Sequence, residues 1–268
     1  MNMYKAMTIA GSDTSGGAGM EADLKTFQEM SVYGMVALTC IVAENPDNDW
    51  AHEIYPIETP VIEKQIHTIF GGIGADAMKT GMLGSRDLVE LVADTIDKYR
   101  LEKTVIDPVM VCKGIDTIMV PEAAEAIKEI LVSRAYLMTP NLLEAAYLAG
   151  MERIETIDDM KEAAARICDK GCRHVVVKAG DRLPGNEAVE IFYDGNTFTE
   201  KRHPKLEGVY NHGAGCTFSA AITAGLAKGL PVKEAVLGAE TFTEAAIKKS
   251  FRINQWAGAL FHAAWREK

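Results

Sequence analysis

The feature that most constrains this chain is a rhythm. Short β-branched apolar runs alternate with longer stretches of helical period. The runs are Lys5–Ala10, Val36–Ala43, Ala75–Lys79, Thr104–Val111, Tyr136–Thr139 and His174–Lys178. Between them, sets such as Leu88, Leu91, Val92 and Ile96, or Met160, Ala163, Ala164 and Ile167, fall on one helix face. Apolar runs with no polar alternation are strands buried on both faces, and strands joined by helical crossovers run parallel. The pattern predicts an α/β chain: a three-layer α/β/α sandwich with a mostly parallel central sheet. Punctuation agrees. Ser85 stands as N-cap before Arg86-Asp87-Leu88, Pro121-Glu122 opens a helix, and Thr156 or Asp158 starts the helix that Gly171 ends. Glu187–Tyr193, Asp194-Gly195 and Thr197–Arg202 read as a late β-hairpin, and helices return at Cys216–Lys228 and Lys233–Lys249. No repeat or Pro/Ser-rich linker interrupts 268 residues, so 1–268 reads as one domain.

Composition removes several classes. A net charge of -10 argues against a protein built to hold nucleic-acid phosphates, while leaving room for a local anion site. The longest apolar run, Met35–Ala43, contains Thr39 and stops at Glu44, far short of the roughly 20 residues of a membrane span. The N-terminal run has no signal-peptide shape, so the expected address is the cytoplasm, with no membrane partner. Five cysteines, an odd number, suggest free thiols; Cys168 and Cys172 sit at a helix-to-strand junction and read as packing.

In a parallel α/β sheet, ligands gather where strands end and helices begin. Five such places carry chemistry. Gly11-Ser12-Asp13-Thr14-Ser15-Gly16-Gly17-Ala18-Gly19 leads into a helix that carries Asp23, but its glycine spacing is neither the dinucleotide nor the Walker pattern. A tight turn explains the glycines; Ser12, Asp13 and Asp23 are polar groups that a mere turn does not need. Asn211-His212-Gly213-Ala214-Gly215-Cys216 opens a helix of small residues, where backbone N–H groups form an anion cradle. Cys216 at that helix start is expected to have a lowered pKa and thiolate character. Asn141 and Glu144 lie one turn apart after Thr139-Pro140, placed to position a hydrated Mg²⁺ and a phosphate, or simply to cap a helix. Asp107 ends a strand and can hold metal, followed by Val109, Cys112 and Lys113 in a Gly-bearing loop. Lys178 and Gly180 end another strand, where the Lys meets phosphate or solvent.

Together these blocks resemble the ribokinase-like superfamily, and within it the branch of vitamin kinases. The resemblance covers the whole chain through Gly11-Ser-Asp…Gly-Gly-Ala-Gly19, Ala22-Asp-Leu-Lys25, Lys79-Thr-Gly-Met82, Asp107-Pro-Val-Met110, Thr139-Pro-Asn-x-x-Glu144 and Gly213-Ala-Gly-Cys216. It implies transfer of a phosphoryl group from ATP, with Mg²⁺, to the hydroxymethyl group of a heteroaromatic ring. By that resemblance Cys216 is the general base, and the amides of Gly213, Ala214 and Gly215 stabilise the transferring group. Asn141 and Glu144 manage Mg²⁺ and phosphate, Asp107 and Glu144 being the candidate metal carboxylates. Lys178, Gly180 and Gly213 lie along ATP. Ser12, Asp13, Asp23, Glu44, Met82 and Val109 line the ring pocket.

Two departures choose within the branch. Hydroxymethylpyrimidine kinases carry Gln-Asn where this chain has Glu44-Asn45, and they lack a cysteine after Asp-Pro-Val-Met. Cys112 resembles the loop cysteine of two-cysteine pyridoxal kinases, whose thiolate adds to the aldehyde as a hemithioacetal. Pyridoxal is therefore the expected substrate, with hydroxymethylpyrimidine or its phosphate as the alternative and dual activity open. With no lid domain in the sequence, a homodimer is expected.

Overall fold

The computed structural model describes residues 3–110 and 118–267. Nine strands form one sheet: β1 (Lys5–Asp13), β2 (Tyr33–Asn45), β3 (Ala51–Pro56), β4 (Ala77–Thr80), β5 (Thr104–Ile106), β6 (Leu137–Met138), β7 (His174–Lys178), β8 (Glu187–Tyr193) and β9 (Phe198–Pro204). Their order is β3-β2-β1-β4-β5-β6-β7-β8-β9. The six strands from β2 to β7 run parallel, and both edges are antiparallel ribbons. The helices are α1 (Gly19–Glu29), α2 (Thr59–Thr68), α3 (Arg86–Tyr99), α4 (Pro121–Ala126), α5 (Leu142–Ala149), α6 (Ile157–Asp169), α7 (Ala214–Ala227) and α8 (Val232–Lys248). A two-stranded sheet, β10 (Phe251–Arg252) with β11 (Gly258–Ala259), follows α8.

Two apolar layers account for the three-layer stack. Successive strand residues point to opposite faces, so each parallel strand feeds both layers. Ile106, Met138, Val175 and Val177 pack with Ile66 of α2, Val92 of α3, Ala145 of α5 and Ile167 of α6. Their neighbours Val105, Leu137 and Val176 pack on the other side with Phe27 of α1, Phe218 and Ile222 of α7 and Phe242 of α8. Helix α7 is almost wholly buried, which its run of Ala, Gly, Ser and Thr permits. At Gly225 a Cβ would lie 2.9 Å from that of Ala235, so glycine sets how closely α7 and α8 pack.

The local signals act as read. Ser85 Oγ accepts from Leu88 N–H at 3.2 Å, and Thr156 forms a capping box with Asp159. Asp194 Oδ1 accepts from the N–H groups of Asn196 and Thr197, closing the β8–β9 hairpin. Two expectations change. The strand expected at Thr104–Val111 ends at Ile106, because Asp107 and Pro108 leave the ladder. The edge strand β3 has no counterpart in the predicted elements: its solvent-facing residues, among them His52, Glu53 and Tyr55, hide the apolar signal of a buried strand.

Candidate active site

The C-terminal ends of the parallel strands deliver a single cleft of about 680 Å³, the size of a small-molecule site. Asp107 and Val109 reach it from the end of β5, Asn141 and Glu144 from the start of α5, Lys178 and Gly180 from β7, and Gly213 to Cys216 from the start of α7. Ten of the residues singled out in the sequence therefore share one wall system. Ser12, Asp13, Asp23, Glu44 and Met82 do not line this cleft.

The α7 end is built by interlocking two glycine loops. Gly213 has φ +82°, and a Cβ there would lie 1.9 Å from the Gly17 carbonyl oxygen. Only glycine allows that approach. Beside it, His212 Nε2 meets Asp13 Oδ2 at 2.7 Å, and Asp13 also accepts from the N–H groups of Ser15 (2.9 Å) and Ala18 (2.7 Å). Burial opposes the Asp13 charge, but hydrogen bonds from His212, Glu44 and Ser15 outweigh it and hold this carboxyl well below the usual range. Burial, then the hydrogen bond and charge of Asp13, push Glu44 up to about 7. Ser12 is committed elsewhere, donating from Oγ to Glu21 Oε1 at 2.6 Å. Met82 sits at a half-buried position where its carbonyl accepts from Thr39 Oγ1.

Asp23 has no exposed surface, so it is an underpinning group with no face for a ligand. Its Oδ1 pairs with Lys79 Nζ at 2.8 Å, also fully buried, and its Oδ2 accepts from Thr8 Oγ1 at 2.6 Å. Burial favours a neutral Lys79, but the charges of Asp23, Cys216 and Asp107 outweigh it and raise its pKa. A lysine inside an apolar strand signals such a partner, because a lone buried charge is too costly.

The Cys216 expectation reverses. Burial pushes this thiol up to about 11; Lys79 pulls it down, and Asp23 and Asp107 push it further up. The expected amide cradle is also narrower, since Ala214 N–H donates to Asn211 O at 3.2 Å. The following first-turn amides have no intrahelical carbonyl to reach.

Opposite α7, Asp107 Oδ1 accepts from Thr139 Oγ1 at 3.1 Å and Oδ2 from Ser219 Oγ at 3.0 Å, with Lys178 Nζ 3.6 Å from Oδ1. A Cβ on Gly215 would lie 3.6 Å from Lys178 Nζ, so that ammonium sits against the α7 start. Asn141 and Glu144 form a capping box, and Glu144 Oε1 accepts from Met110 N–H at 3.1 Å. Glu144 is buried, and burial together with Asp107 pushes it up to about 7. Val109 takes φ +38°, a costly backbone for a β-branched residue and the kind of strain that clusters at functional sites. Among the described residues no group of three or more His, Cys, Asp or Glu could hold a metal by itself. Two carboxyls facing one cleft suit a Mg²⁺ held mainly by water and phosphate oxygens. Cys112 lies outside the described residues. Among those described, no helix is long and apolar enough to cross a membrane.

The model of the phosphomethylpyrimidine kinase family matches residues 13–260. The chain belongs to that family. It is 53% identical to a pyridoxine kinase of Bacillus subtilis (strain 168) over 266 residues, covering 99% of this chain and 98% of that protein. The crystal structure of an ADP complex of Bacillus subtilis pyridoxal kinase superposes with a TM-score of 0.96 at 53% identity, covering 100% of both chains. A pyridoxal kinase from Staphylococcus aureus in complex with AMP-PCP and pyridoxal gives 0.92 at 44% identity, covering 99% of this chain and 96% of the other. Family membership accords with the three-layer α/β fold and with a cleft at the strand ends.

Proposed function

We propose that this protein is an ATP-dependent kinase that phosphorylates the 5′-hydroxymethyl group of B6 vitamers, pyridoxal foremost. The observation that carries the reading is the convergence of Cys216, Lys178 and Asp107 on the first turn of α7, in one cleft, within a chain that matches B6 kinases end to end. The triphosphate lies along Lys178 and Gly180 towards Gly213 and Gly215, where an ammonium and a helix N-terminus offset its charge. The hydroxymethyl oxygen attacks the terminal phosphorus, the bond to the bridging oxygen breaks, ADP leaves, and the hydroxyl proton passes to the thiolate form of Cys216. Asp107 and Glu144 would hold Mg²⁺ through water, and that ion supplies neutralisation of charge on the phosphates. Asp13, Glu44 and Met82 support the vitamin side, with Asp23 and Lys79 beneath Cys216. Cys112 holds the aldehyde of pyridoxal as a hemithioacetal. Exposed Ile41, Ile54 and Tyr55 on the β2–β3 ribbon support a homodimer, which light scattering after size exclusion tests.

The deciding experiment incubates the protein with MgATP and, separately, pyridoxal, pyridoxine, pyridoxamine and hydroxymethylpyrimidine, and reads product mass. Pyridoxal phosphate as the fastest product is expected. Phosphorylation of the pyrimidine alone would move the assignment to thiamine synthesis. Cys112→Ala should slow pyridoxal far more than pyridoxine, and equal losses would remove the hemithioacetal.

A further inference from the structure

Two turns outside the cleft meet through a pair of indole rings that the proposed chemistry does not use. Trp50 ends the β2–β3 turn, and Trp256 lies between β10 and β11. Their rings stack with centroids 5.5 Å apart and planes 15° from parallel. Each turn is built on one asparagine. Asn45 Oδ1 accepts from Asp47 N–H at 2.9 Å, its carbonyl accepts from Trp50 N–H at 2.9 Å, and its Nδ2 donates to Glu53 Oε1 at 2.7 Å. Asn254 Oδ1 accepts from the N–H groups of Trp256 and Ala257 at 2.9 and 2.8 Å. Asp49 and Trp50 take φ +47° and +64°, a left-handed backbone that bulky side chains rarely adopt. Such strain persists only where the surroundings over-determine it. Trp256 stays 42% exposed, so burial in a core does not account for the pair.

We infer that the Trp50–Trp256 stack is a latch that sets the acceptor end of the site, so that both tryptophans are positioning residues for the vitamin and not for ATP. The inference rests on the kinase reading, with Asp13 and Glu44 on the vitamin side. Two links join the end of β2 to the approach of α7. The inner link runs from Glu44 through its hydrogen bond with Asp13 to His212, whose Nε2 is 2.7 Å from Asp13 Oδ2. The outer link is the stack. On one side of it, the β10–β11 hairpin grips Tyr210, two residues before His212. Tyr210 N–H donates to Ser250 Oγ at 2.8 Å, and a Cβ on Gly258 would lie 2.2 Å from Tyr210 Cγ. On the other side, the Trp50 turn is anchored on Asn45, the residue after Glu44. The two links close a ring of contacts that includes Glu44, Asp13 and His212. Cutting the outer link removes the hold of the hairpin on the turn beside Glu44. Tyr210 keeps its seat on the hairpin, and the phosphate end, built from α7, Asp107 and Lys178, keeps its geometry.

The test is steady-state kinetics of the full chain, with pyridoxal and MgATP varied in turn, on wild type, Trp50→Ala, Trp256→Ala, Trp256→Tyr and the double alanine variant. Thermal unfolding is checked for each. A stacked aromatic pair is worth about two- to tenfold in an equilibrium constant. Either alanine variant should raise KM for pyridoxal by about that factor and leave KM for ATP within about twofold of wild type. The double variant should lose no more than the worse single, because the two rings share one contact. Trp256→Tyr restores a ring, and should return KM for pyridoxal close to the wild-type value. A merely structural role would lower Tm and turnover while moving both KM values together or neither. That outcome, an unchanged KM for pyridoxal in both alanine variants, or a Trp256→Tyr variant as impaired as Trp256→Ala, would overturn the inference. Wild-type turnover separates the two readings. Its absence sinks the kinase reading and the latch with it; a working wild type beside variants with unaltered KM sinks the latch alone.

Discussion

Replacing Lys79 with Met separates what the buried ion pair does for stability from what it does for chemistry. Lys79 Nζ and Asp23 Oδ1 are 2.8 Å apart with neither side chain exposed. Removing the ammonium leaves the Asp23 carboxyl in apolar surroundings with only Thr8 Oγ1 as donor. Breaking a buried pair by deleting one partner costs about 3–5 kcal/mol. At about 2–4 °C per kcal/mol for a large domain, Tm should fall by about 6–20 °C. Lys79 is also the charge that pulls the Cys216 thiol down, while Asp23 pushes it up. Lys79→Met should therefore lower turnover of pyridoxal and displace the rising limb of its pH–rate profile to higher pH. The double variant Lys79→Met/Asp23→Asn removes both charges, and should recover much of the lost stability and part of the turnover. Differential scanning fluorimetry and initial rates on the two singles and the double close the cycle. Strictly additive losses, or a single variant as stable as wild type, would refute the reasoning.

Four further predictions follow from particular contacts. Gly213→Ala must hold an L-residue at φ +82° and push its Cβ off the Gly17 carbonyl; the left-handed backbone alone costs about 1–2 kcal/mol, so both Tm and ADP affinity should drop, measured by fluorimetry and calorimetry. Because burial raises the Cys216 thiol to about 11, its deprotonated form grows throughout the assayable range: turnover should climb by up to about tenfold per pH unit between pH 7 and 9. Cys216→Ala should flatten that climb and lower turnover by about 10²-fold; a variant with near-normal rates removes the general-base role. Ser85→Ala deletes the cap that accepts from Leu88 N–H, far from the cleft, and should cost about 1 kcal/mol in thermal unfolding with turnover unchanged.

How much of this was legible in the sequence depended on the range of the interaction. Local signals sufficed for the parallel strands, the caps at Ser85 and Thr156 and the Asp194 turn, because each is set by residues within a few positions. The strand ends also pointed to the cleft, since backbone topology brings Asp107, Asn141, Lys178 and Gly213 together whatever their side chains. What escaped was set by partners far along the chain. Asp23 looked like a pocket residue because its cation lies 56 positions away. The sign of the Cys216 shift was missed because a helix start predicts a lowered thiol, whereas burial depends on everything packed around it. The β3 edge failed for a simpler reason, being too polar on its open side to look like a strand.

The contact between Asp13 and His212 joins positions 199 residues apart. It ties the end of β1 to the start of α7, so translation must run through residue 212 before these two parts of the molecule can meet. A ribosome-tethered fragment that stops short of it can build several of the parallel strands and still lack the α7 wall of the cleft. The cleft is thus completed late in biosynthesis, once the segment that carries Gly213 to Cys216 has emerged.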